Sequence, residues 1–434
     1  MQPQRFDVLI LGAGIAGLYA ANRLAGEGRR VAVVERTDRC GGAHRSTSIG
    51  PYTFDHGSIF YEDDAPLFDL AEGLLETCPA VMRRQRRIAP SGEVVHYPIE
   101  PRDIMRAPKS TLALAGLDLL WRRLFTRRDG TLATILRQRM GRRFLALTGL
   151  EHYITRFHHV GPELIDQRFF FNRMAQIARF TQGSAMIKAG FSALRGKRSI
   201  QGAPRPPLHI RPYSGYAALF DPIRHQLEER GVTFFFNEDL ESVSRTEDGH
   251  LVRTSGAEFS TASLVNTIPL DSLHRVLFGE PSGLHLLDMT ILFVSAERLD
   301  PATGNVLFNF HADGRWKRAT IYSRLYPEAD TDREFFAVEV TITPGEAHDP
   351  EAAFADFARH IEGLGLASGL KLESSAFHPD CYPLYTPGSD ERIEQVLAKI
   401  AAEDIITVGR QGRFEYLPTS TGVILQVRNQ LGLV

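Results

Sequence analysis

The pattern of apolar and polar residues near the N-terminus predicts a strand, a helix and a second strand. An apolar run, Val8–Leu11, is followed by Gly-Ala-Gly-Ile-Ala-Gly at 12–17, and a second apolar run, Val31–Val34, ends on Glu35. Short apolar runs bounded by glycine are typical of buried strands. The residues between the two runs suffice for one helix, so we expect an opening βαβ unit within residues 1–50.

The pattern then changes twice. Residues 101–200 have few β-branched runs and predict helices, among them the mostly apolar 111–121. The stretches 195–198 and 203–207 predict a loop or a domain boundary, and a helix is predicted at 216–230. Beyond it the pattern predicts strands at 232–236, 263–267, 290–295, 306–310, 319–323, 336–342 (which alternates between apolar and polar residues) and 405–408, a hairpin turn at 247–249, and helices at 352–364, 391–402 and 424–431.

The glycine-rich stretch fits a turn that binds a dinucleotide. Gly12 permits the tight strand-to-helix turn, Gly14 lets the backbone approach a pyrophosphate, and Gly17 permits close packing of helix against strand. The free N–H groups at the helix N-terminus attract phosphate. Glu35 lies where a carboxylate accepts hydrogen bonds from an adenosine ribose, which disfavours NADP. The competing interpretation is a glycine turn without function.

Composition narrows the class of protein. A chain of 434 residues is too long for one ordinary core, so we expect two intertwined domains. The formal net charge of −2 gives no reason to expect nucleic-acid binding. Cys40, Cys78 and Cys381 indicate neither a disulfide framework nor a zinc site, and the three histidines within 152–159 lack accompanying ligands, so no metal is expected. Without a signal-peptide pattern or an apolar stretch of about 20 residues, we expect a cytoplasmic protein; the sequence indicates no oligomeric state.

Charge is concentrated in one region. Residues 83–143 contain fifteen Lys/Arg and five Asp/Glu, and the apolar helix predicted at 111–121 lies between two of the basic clusters. The interpretation we favour is a solvated face on a helical domain. The alternatives are a funnel that attracts an anionic substrate and a surface that contacts anionic lipid at the membrane periphery.

The stretch 35–42, Glu-Arg-Thr-Asp-Arg-Cys-Gly-Gly, resembles the segment that carries the chain toward the flavin in FAD enzymes of the amine oxidase type. The N-terminal fingerprint is shared by a superfamily that includes amine oxidases, protoporphyrinogen oxidase, phytoene-type desaturases and UDP-galactopyranose mutase. The resemblance implies FAD and an α/β fold. That fold has a Rossmann-like FAD-binding domain of the GR2 type and a second, substrate domain, made of an antiparallel sheet and a helical insertion.

On this resemblance the chain divides into five parts. The FAD-binding domain is expected to comprise 1–100, 205–285 and 376–434. The helical part of the substrate domain is expected at 101–204, and its antiparallel sheet at 286–375.

Four further segments resemble the UDP-galactopyranose mutase branch. They are 212–220, which resembles its "GGY" turn and helix; 316–323, which resembles its strand with a substrate-side arginine; 382–385 followed by Gly388; and 409–416, which resembles its "GRxGxxxY" motif. The catalytic candidates that follow are Arg318, Arg410, His56, Tyr385 and Tyr416. The implied cofactor-binding residues are Gly12, Gly14, Ile15, Ala16, Gly17, Glu35, Arg36, Gly41, Gly42, Ala43, Leu240 (whose backbone would face the adenine), Gly409, Arg410, Thr421, Gly422 and Val423.

Two departures from the mutase pattern bear on the reaction. Tyr416 is followed by Leu-Pro-Thr-Ser-Thr at 417–421, which has no carboxylate, where the mutases have an acidic turn. The segment that matches their flavin-side "GxHxF" histidine is 55–61, where the histidine, His56, comes before the glycine. The losses leave the fold expectation intact and argue against the mutase reaction.

Each candidate has a structural interpretation beside the functional one. Arg410 either stabilises the negatively charged reduced flavin or ties a strand to a helix. Arg318 either binds a phosphate or carboxylate or forms an ion pair at the surface. His56 either transfers protons or is a packed, hydrogen-bonded histidine. Tyr385 and Tyr416 either orient substrate or belong to the core.

Two functions remain in view. The one we expect is an FAD-dependent oxidoreductase that removes two electrons from a polar or anionic small molecule in a biosynthetic pathway. The alternative is a redox-neutral sugar-nucleotide isomerase in which Arg318 and Arg410 bind the diphosphate of the substrate.

Overall fold

The computed structural model describes residues 3–57, 60–174, 177–178, 181, 206–329 and 331–432. The predicted loop at 195–198, the first three residues of the Pro-rich stretch 203–207 and the predicted boundary between 204 and 205 lie outside the described residues.

Over the described residues the strands, in chain order, are β1 (Gln4–Leu11), β2 (Val31–Glu35), β3 (Ser46–Ile49), β4 (Tyr52–Asp55), β5 (Ala80–Val81), β6 (Gln85–Ile88), β7 (Val94–His96), β8 (Leu208–His209), β9 (Thr233–Phe236), β10 (Leu240–Thr246), β11 (Gly249–Thr254), β12 (Glu258–Asn266), β13 (His285–Ala296), β14 (Arg298–Leu299), β15 (Val306–Asn309), β16 (Arg318–Ile321), β17 (Glu334–Ile342), β18 (Ala367–Ser368), β19 (Lys371–Leu384) and β20 (Ile405–Thr407). The helices are α1 (Ile15–Gly26), α2 (Pro101–Ile104), α3 (Lys109–Phe125), α4 (Leu132–Thr148), α5 (Leu150–His158), α6 (Arg168–Arg173), α7 (Ala217–Glu229), α8 (Leu270–Phe278), α9 (Pro350–Gly363), α10 (Ser389–Ala401), α11 (Gly409–Gly412) and α12 (Ser420–Gln430).

The first sheet contains the predicted βαβ unit. Its order is β10-β11-β12-β1-β2-β9, with β20 paired to the second half of β12. The strands β20, β12, β1, β2 and β9 are parallel, whereas β10, β11 and β12 form an antiparallel meander. Because side chains alternate along a strand, Val8 and Ile10 pack with α1, α7 and α12, while Leu9 and Leu11 pack on the other face with α8 and α10.

The second sheet is the predicted antiparallel one. Its order is β19-β13-β17-β16-β15-β6-β7, and within it β15 and β6 pair in parallel. One face packs against α9 through Leu292 and Val294 of β13, and Met289, Ile291 and Phe293 of the same strand pack on the other face. Helices α4, α5 and α6 pack with Val306, Phe308 and Phe310 and form the helical layer expected in 101–204.

Four elements differ from their predictions. The strands β6 and β7, within the part expected to belong to the FAD-binding domain, pair in the second sheet. Strand β19 crosses the expected boundary at 375/376, and no strand was predicted there. It contains Pro379 and Pro383, and proline is rare inside strands because it has no N–H to donate. It lies at the sheet edge, where proline is tolerated, and Asp380 has a left-handed φ of 53°. The last helix begins at Ser420 rather than 424, since the Thr419 side chain caps it. The five-part division itself stays a prediction.

Within the described part of the chain, no helix combines the length and the apolar character needed to span a bilayer.

A buried ion pair links the β3–β4 hairpin to the second sheet. The Arg211 Nε lies 2.8 Å from Oδ1 of Asp55 at the end of β4, and both side chains are at most 5% exposed. Arg211 also donates to the Thr53 carbonyl at 3.0 Å, and its guanidinium lies 4.4 Å from the ring centroid of Tyr326, which packs with the second sheet. The pair therefore connects the β3–β4 hairpin to the second sheet.

We expect Arg211→Met to lower the free energy of unfolding by about 3–5 kcal/mol, because it leaves the Asp55 carboxylate buried without its cation. Urea denaturation of the purified variant measures this. The control is Arg253→Met, whose ion pair with Glu258 is at the surface and whose loss should cost at most about 1 kcal/mol. Equal effects of the two substitutions would contradict the role given to Arg211.

Candidate functional site

The turn between β1 and α1 has the geometry that its three glycines predict. Gly12 has a φ of +98°, and its N–H donates to the Val34 carbonyl at 2.8 Å. A Cβ on Gly17 would lie 1.9 Å from the carbonyl oxygen of Gly12, so only glycine allows this contact. A Cβ on Gly14 would meet just the Cα of Gly42, at 3.8 Å. The protein itself therefore leaves the space above Gly14 open, as a pyrophosphate requires.

The start of α1 has no side-chain cap. Its N-cap is Gly14, whose lack of a side chain leaves the N–H groups of the first turn, at Ile15, Ala16 and Gly17, without such a partner. Uncapped N–H groups at the positive end of a helix form an anion site. Gly41 lies against this turn, because its N–H donates to the Ala13 carbonyl at 2.9 Å.

Glu35 is buried at the end of β2, as a ribose-binding acid should be. Its Oε2 accepts from the Ala13 N–H at 2.9 Å, and its Oε1 accepts from the N–H and the hydroxyl of Thr37 at 3.0 and 2.8 Å. A carboxylate has about four acceptor positions, so capacity for a ribose hydroxyl remains. The segment before Leu240 lies alongside, since the Glu238 N–H donates to the Glu35 carbonyl.

The chain returns to this turn at its C-terminal end. Gly409 opens α11 so close to α1 that a Cβ there would lie 2.6 Å from the Cβ of Ala16. In α12, the N–H of Gly422 donates to the Thr419 hydroxyl, and that of Val423 donates to the Thr419 carbonyl. The N–H groups of Gly422 and Val423 are thus bonded within the helix. Of the three residues expected to bind the cofactor here, Thr421 is left to offer its N–H to the flavin.

Arg410 lies between the dinucleotide turn and the second sheet. Burial lowers the pKa of His44 to about 4, and the positive charge of Arg410 adds to this shift. The His44 ring bonds the Gly41 carbonyl at 3.0 Å. On its other side, the Arg410 guanidinium is 5.5 Å from the ring centroids of both Tyr382 and Tyr416. Its Nε is buried and has no hydrogen-bond partner within the described part of the chain.

Arg318 is placed near Arg410 but carries an ion pair. Its Nε donates to Oε1 of Glu339 at 2.8 Å, and the neighbouring Lys317 Nζ lies 2.8 Å from Oε2 of the same carboxylate. Burial opposes the charge of Glu339, but Arg318 and Lys317 outweigh it and lower the pKa of Glu339 to about 2. Arg318 therefore forms an ion pair, but with a buried carboxylate rather than at the surface as the alternative interpretation had it. This Glu339–Lys317–Arg318 group has a net charge of +1.

Four tyrosines surround these charges: Tyr97, Tyr153, Tyr382 and Tyr416, the tyrosine cluster. Tyr97 stacks on Phe308 and Tyr153 on Phe310, at centroid distances of 3.8 and 4.5 Å. Burial raises the pKa of Tyr97 to about 12 and that of Tyr153 and Tyr382 well above the ordinary value of 10. The charges of Arg318 and Arg410 both act on Tyr382 and offset part of its shift. Both arginine charges thus act on the same tyrosine.

His56 is hydrogen-bonded at both ring nitrogens. Its Nδ1 lies 2.8 Å from Nε2 of His378 on β19, and its Nε2 lies 2.7 Å from the Thr47 hydroxyl. Burial, helped by His378 and Arg45, lowers the pKa of His56 to about 3. This arrangement supports the packed interpretation of His56, and its part in catalysis stays a prediction.

The remaining candidates have simpler surroundings. The Tyr385 hydroxyl donates to the Phe414 carbonyl at 2.6 Å and so anchors the end of β19 to the motif at 409–416. Arg36 and Ala43 are exposed, and the Arg36 charge acts on His378. Among the residues that the structure describes, no group of three or more His, Cys, Asp or Glu side chains could hold a metal ion.

Sequence reasoning missed Lys317, Glu339 and Tyr382. The Lys317 amine is buried 3.8 Å from the Tyr382 ring centroid. The signal for Glu339 was present as a carboxylate in the strand predicted at 336–342, whose alternation indicated a half-exposed strand. Residues 335–342 of β17 are in fact buried on both faces, which forces Glu339 to pair with cations.

The sequence of this chain is similar to that of known flavoproteins, over a long stretch for a family profile and over short stretches for single proteins. The profile of one family, described as flavin containing amine oxidoreductase, matches residues 15–290. Beta-cyclopiazonate dehydrogenase of Aspergillus flavus is 47% identical over 72 residues, which are 16% of this chain and 13% of that protein. The neurosporene-forming phytoene desaturase of Rhodobacter capsulatus is 47% identical over 49 residues, 11% of this chain and 9% of the relative. The match thus spans a small fraction of each relative's length.

The fold extends over the whole chain. The crystal structure of reduced UDP-galactopyranose mutase superposes with a TM-score of 0.79 at 17% identity, covering 100% of this chain and 96% of that one. At this identity the likeness shows the fold.

The cofactor is FAD, and the residues present fit it. The uncapped N-terminus of α1 and the facing backbones of Gly14 and Gly42 leave the space that the pyrophosphate needs. Near the turn, the buried Arg410 Nε and Thr421 Oγ1 have no hydrogen-bond partner among the residues that the structure describes, and buried polar groups of this kind need one. The flavin ring carries hydrogen-bonding atoms that would satisfy them.

We expect Gly14→Ala and Gly17→Ala to fail in different ways. Gly14→Ala should fold normally, because a φ of −75° suits alanine, but should weaken FAD binding at least about tenfold, since a clash with a ligand costs roughly 1–3 kcal/mol. Gly17→Ala should destabilise the apoprotein by about 3 kcal/mol or more, because its methyl meets backbone. Isothermal titration with FAD and thermal unfolding of the apoprotein separate the two effects.

The control is Gly26→Ala, at the other end of the same helix, where nothing lies within 4 Å of the added Cβ. Its effect on stability should stay within about 1 kcal/mol. Normal FAD affinity in Gly14→Ala would refute the assignment of the pyrophosphate to this turn.

We expect Glu339→Gln to destabilise the protein by about 3–5 kcal/mol at neutral pH, because Lys317 and Arg318 lose their buried counter-charge. The folded-state pKa of Glu339 is depressed, so its stabilisation exists above its ordinary value of 4.5 and is lost as the pH falls toward about 2. Urea midpoints of wild type and variant should therefore converge over that window. A difference independent of pH would show that the charge of Glu339 is not what stabilises the strand.

Proposed function

The chain belongs to the family of flavin-containing amine oxidoreductases, and from this premise we propose that it is an FAD-dependent oxidoreductase acting on a small molecule held at the tyrosine cluster. The observation that carries the proposal is the position of Arg410, between the dinucleotide turn and two of the tyrosines, with a buried Nε for which the described residues provide no hydrogen-bond partner.

FAD supplies the two-electron redox chemistry when it is bound. Arg410 contributes a fixed positive charge where negative charge develops on reduction, and such a charge acts most strongly in a site from which water is excluded. The pKa shifts of Tyr97, Tyr153 and Tyr382, caused first by burial, support such exclusion. Because these phenols stay protonated at neutral pH, their hydroxyls can donate hydrogen bonds to a substrate oxygen.

The charge balance of the site narrows the substrate class. Glu339 neutralises one of the two cations beside it, Lys317 and Arg318. The site therefore carries two positive charges that are not neutralised, one from this group and one from Arg410. Aromatic rings form much of the remaining surface. We infer a substrate with one polar or anionic group directed at these cations and an unsaturated or apolar remainder that packs on the rings. The names of two relatives, a dehydrogenase and a desaturase, describe two-electron oxidations and support this reaction class.

The redox-neutral isomerase is the less supported alternative. It would use Arg318 to bind a diphosphate, but that guanidinium is bound to Glu339. The turn after Tyr416, residues 417–421, contains no carboxylate. The similarity to UDP-galactopyranose mutase concerns the fold alone and does not favour the isomerase. These two observations support our choice of the oxidoreductase.

The two reactions differ in what they do to the oxidised holoenzyme. An oxidoreductase loses its visible flavin absorbance when its substrate is added without oxygen and regains it with an acceptor. We expect this for a member of a panel of amines and unsaturated compounds with one polar group. We expect no interconversion of UDP-galactopyranose after reduction with dithionite. Efficient reductant-dependent interconversion would refute the proposal and establish the isomerase.

We expect Arg410→Met to lower the midpoint potential of bound FAD by about 30–60 mV. A charge-assisted hydrogen bond is worth about 1.5–3 kcal/mol, and roughly 30 mV corresponds to 1.4 kcal/mol for a two-electron couple. Arg410→Lys should restore part of the loss. Redox titration against dyes measures both.

The control is Arg428→Met, which removes the same charge from an exposed position of α12. It should leave the potential unchanged. A shift as large as that of Arg410→Met would mean that net charge, rather than the position of Arg410, sets the potential.

A further inference from the structure

One helix presents a broad apolar face to solvent. Of the fourteen large hydrophobic side chains exposed among the described residues, six lie on α3, and their exposed fractions run from 47% for Leu114 to 77% for Leu124. The six are Leu114, Leu117, Leu120, Trp121, Leu124 and Phe125. At 3.6 residues per turn they cover an arc of about 140°.

The opposite face of α3 is packed. Ala115 and Leu119 are buried, and Gly141 of α4 lies so close that a Cβ there would be 3.1 Å from the Cα of Leu119. Asp118 accepts from the Arg143 N–H at 3.1 Å and pairs with Arg122. The orientation of α3 is thus fixed by α4, and the apolar arc points away from the protein.

The charges around this arc are positive. Residues 102–128 contain seven Lys/Arg and two Asp. Both aspartates face inward, with side-chain exposures of 2% for Asp103 and 17% for Asp118. The basic side chains stand at both ends of the arc, with Arg106 and Lys109 exposed before it and Arg127 and Arg128 exposed after it. Trp121 and Phe125 pack against each other at its C-terminal end, 4.2 Å between centroids.

We propose that α3 docks this protein on an anionic lipid surface. An apolar face with leucine, tryptophan and phenylalanine, bordered by Lys and Arg and with Asp129 as the one exposed acid within 102–129, is complementary to the acyl boundary and headgroups of such a surface. A second copy of the chain fits less well, since a symmetric contact would bring the same basic residues of two copies together. The inference is independent of the proposed redox activity.

The test is co-sedimentation of the FAD-loaded protein with vesicles of phosphatidylcholine alone and of phosphatidylcholine with phosphatidylserine. We expect binding to the second and much weaker binding to the first, with loss at high salt. Leu117→Gln together with Leu124→Gln should weaken binding at least about tenfold, because each substitution removes an apolar side chain that would be buried in the lipid. Arg127→Glu with Arg128→Glu should weaken binding to the anionic vesicles and not the residual binding to neutral ones.

The matched control is Leu164→Gln with Leu425→Gln, two exposed leucines outside α3, which should bind like wild type. Unchanged melting temperature and FAD content show that every variant is folded. Three outcomes would overturn the proposal: absence of binding to either vesicle, binding that the α3 variants leave intact, or a concentration-dependent dimer without vesicle binding that the α3 variants abolish. The last would assign the face to a second copy.

Discussion

The contact between Gly17 and the carbonyl of Gly12 is the constraint on which the cofactor site depends. It brings the first turn of α1 against the end of β1, at a distance that even one methyl group would forbid. In that position the uncapped N–H groups of the helix point over the carboxyl ends of the parallel strands. The same closeness explains why Gly409 can approach Ala16, and therefore why Arg410 reaches the site from the far end of the chain.

The second sheet supplies the other half of the site through a different kind of constraint. Residues 335–342 of its strand β17 are buried on both faces, so the one buried carboxylate of the strand, Glu339, must be compensated. The compensation comes from Lys317 and Arg318, whose positions next to the tyrosine cluster then determine how much positive charge is available there. The burial of β17 thus determines how much positive charge lies beside the tyrosine cluster, whose residues belong to other elements.

The sequence predicts local features of this protein well and non-local ones poorly. Runs such as Val8–Leu11 and the glycines that follow specify the βαβ unit because strand, turn and helix preferences act over a few residues. The helix predicted at 111–121 was found as α3. The partner of Arg318 could not be predicted, because Glu339 comes from another strand and only sheet register brings the two together. Likewise Pro379 and Pro383 concealed β19, since the edge position that tolerates them is a tertiary property.

The order of strands in the first sheet has a consequence for how the protein is made. Strand β1 pairs with β12, more than two hundred residues later, and β12 in turn pairs with β20 near the C-terminus. Pairings of such separation form slowly. During synthesis, α1 therefore emerges long before Arg410 and Thr421 exist to complete its surroundings. The surroundings that enclose the cofactor can therefore be completed only after residues 409–421 have been made, long after the glycine turn between β1 and α1.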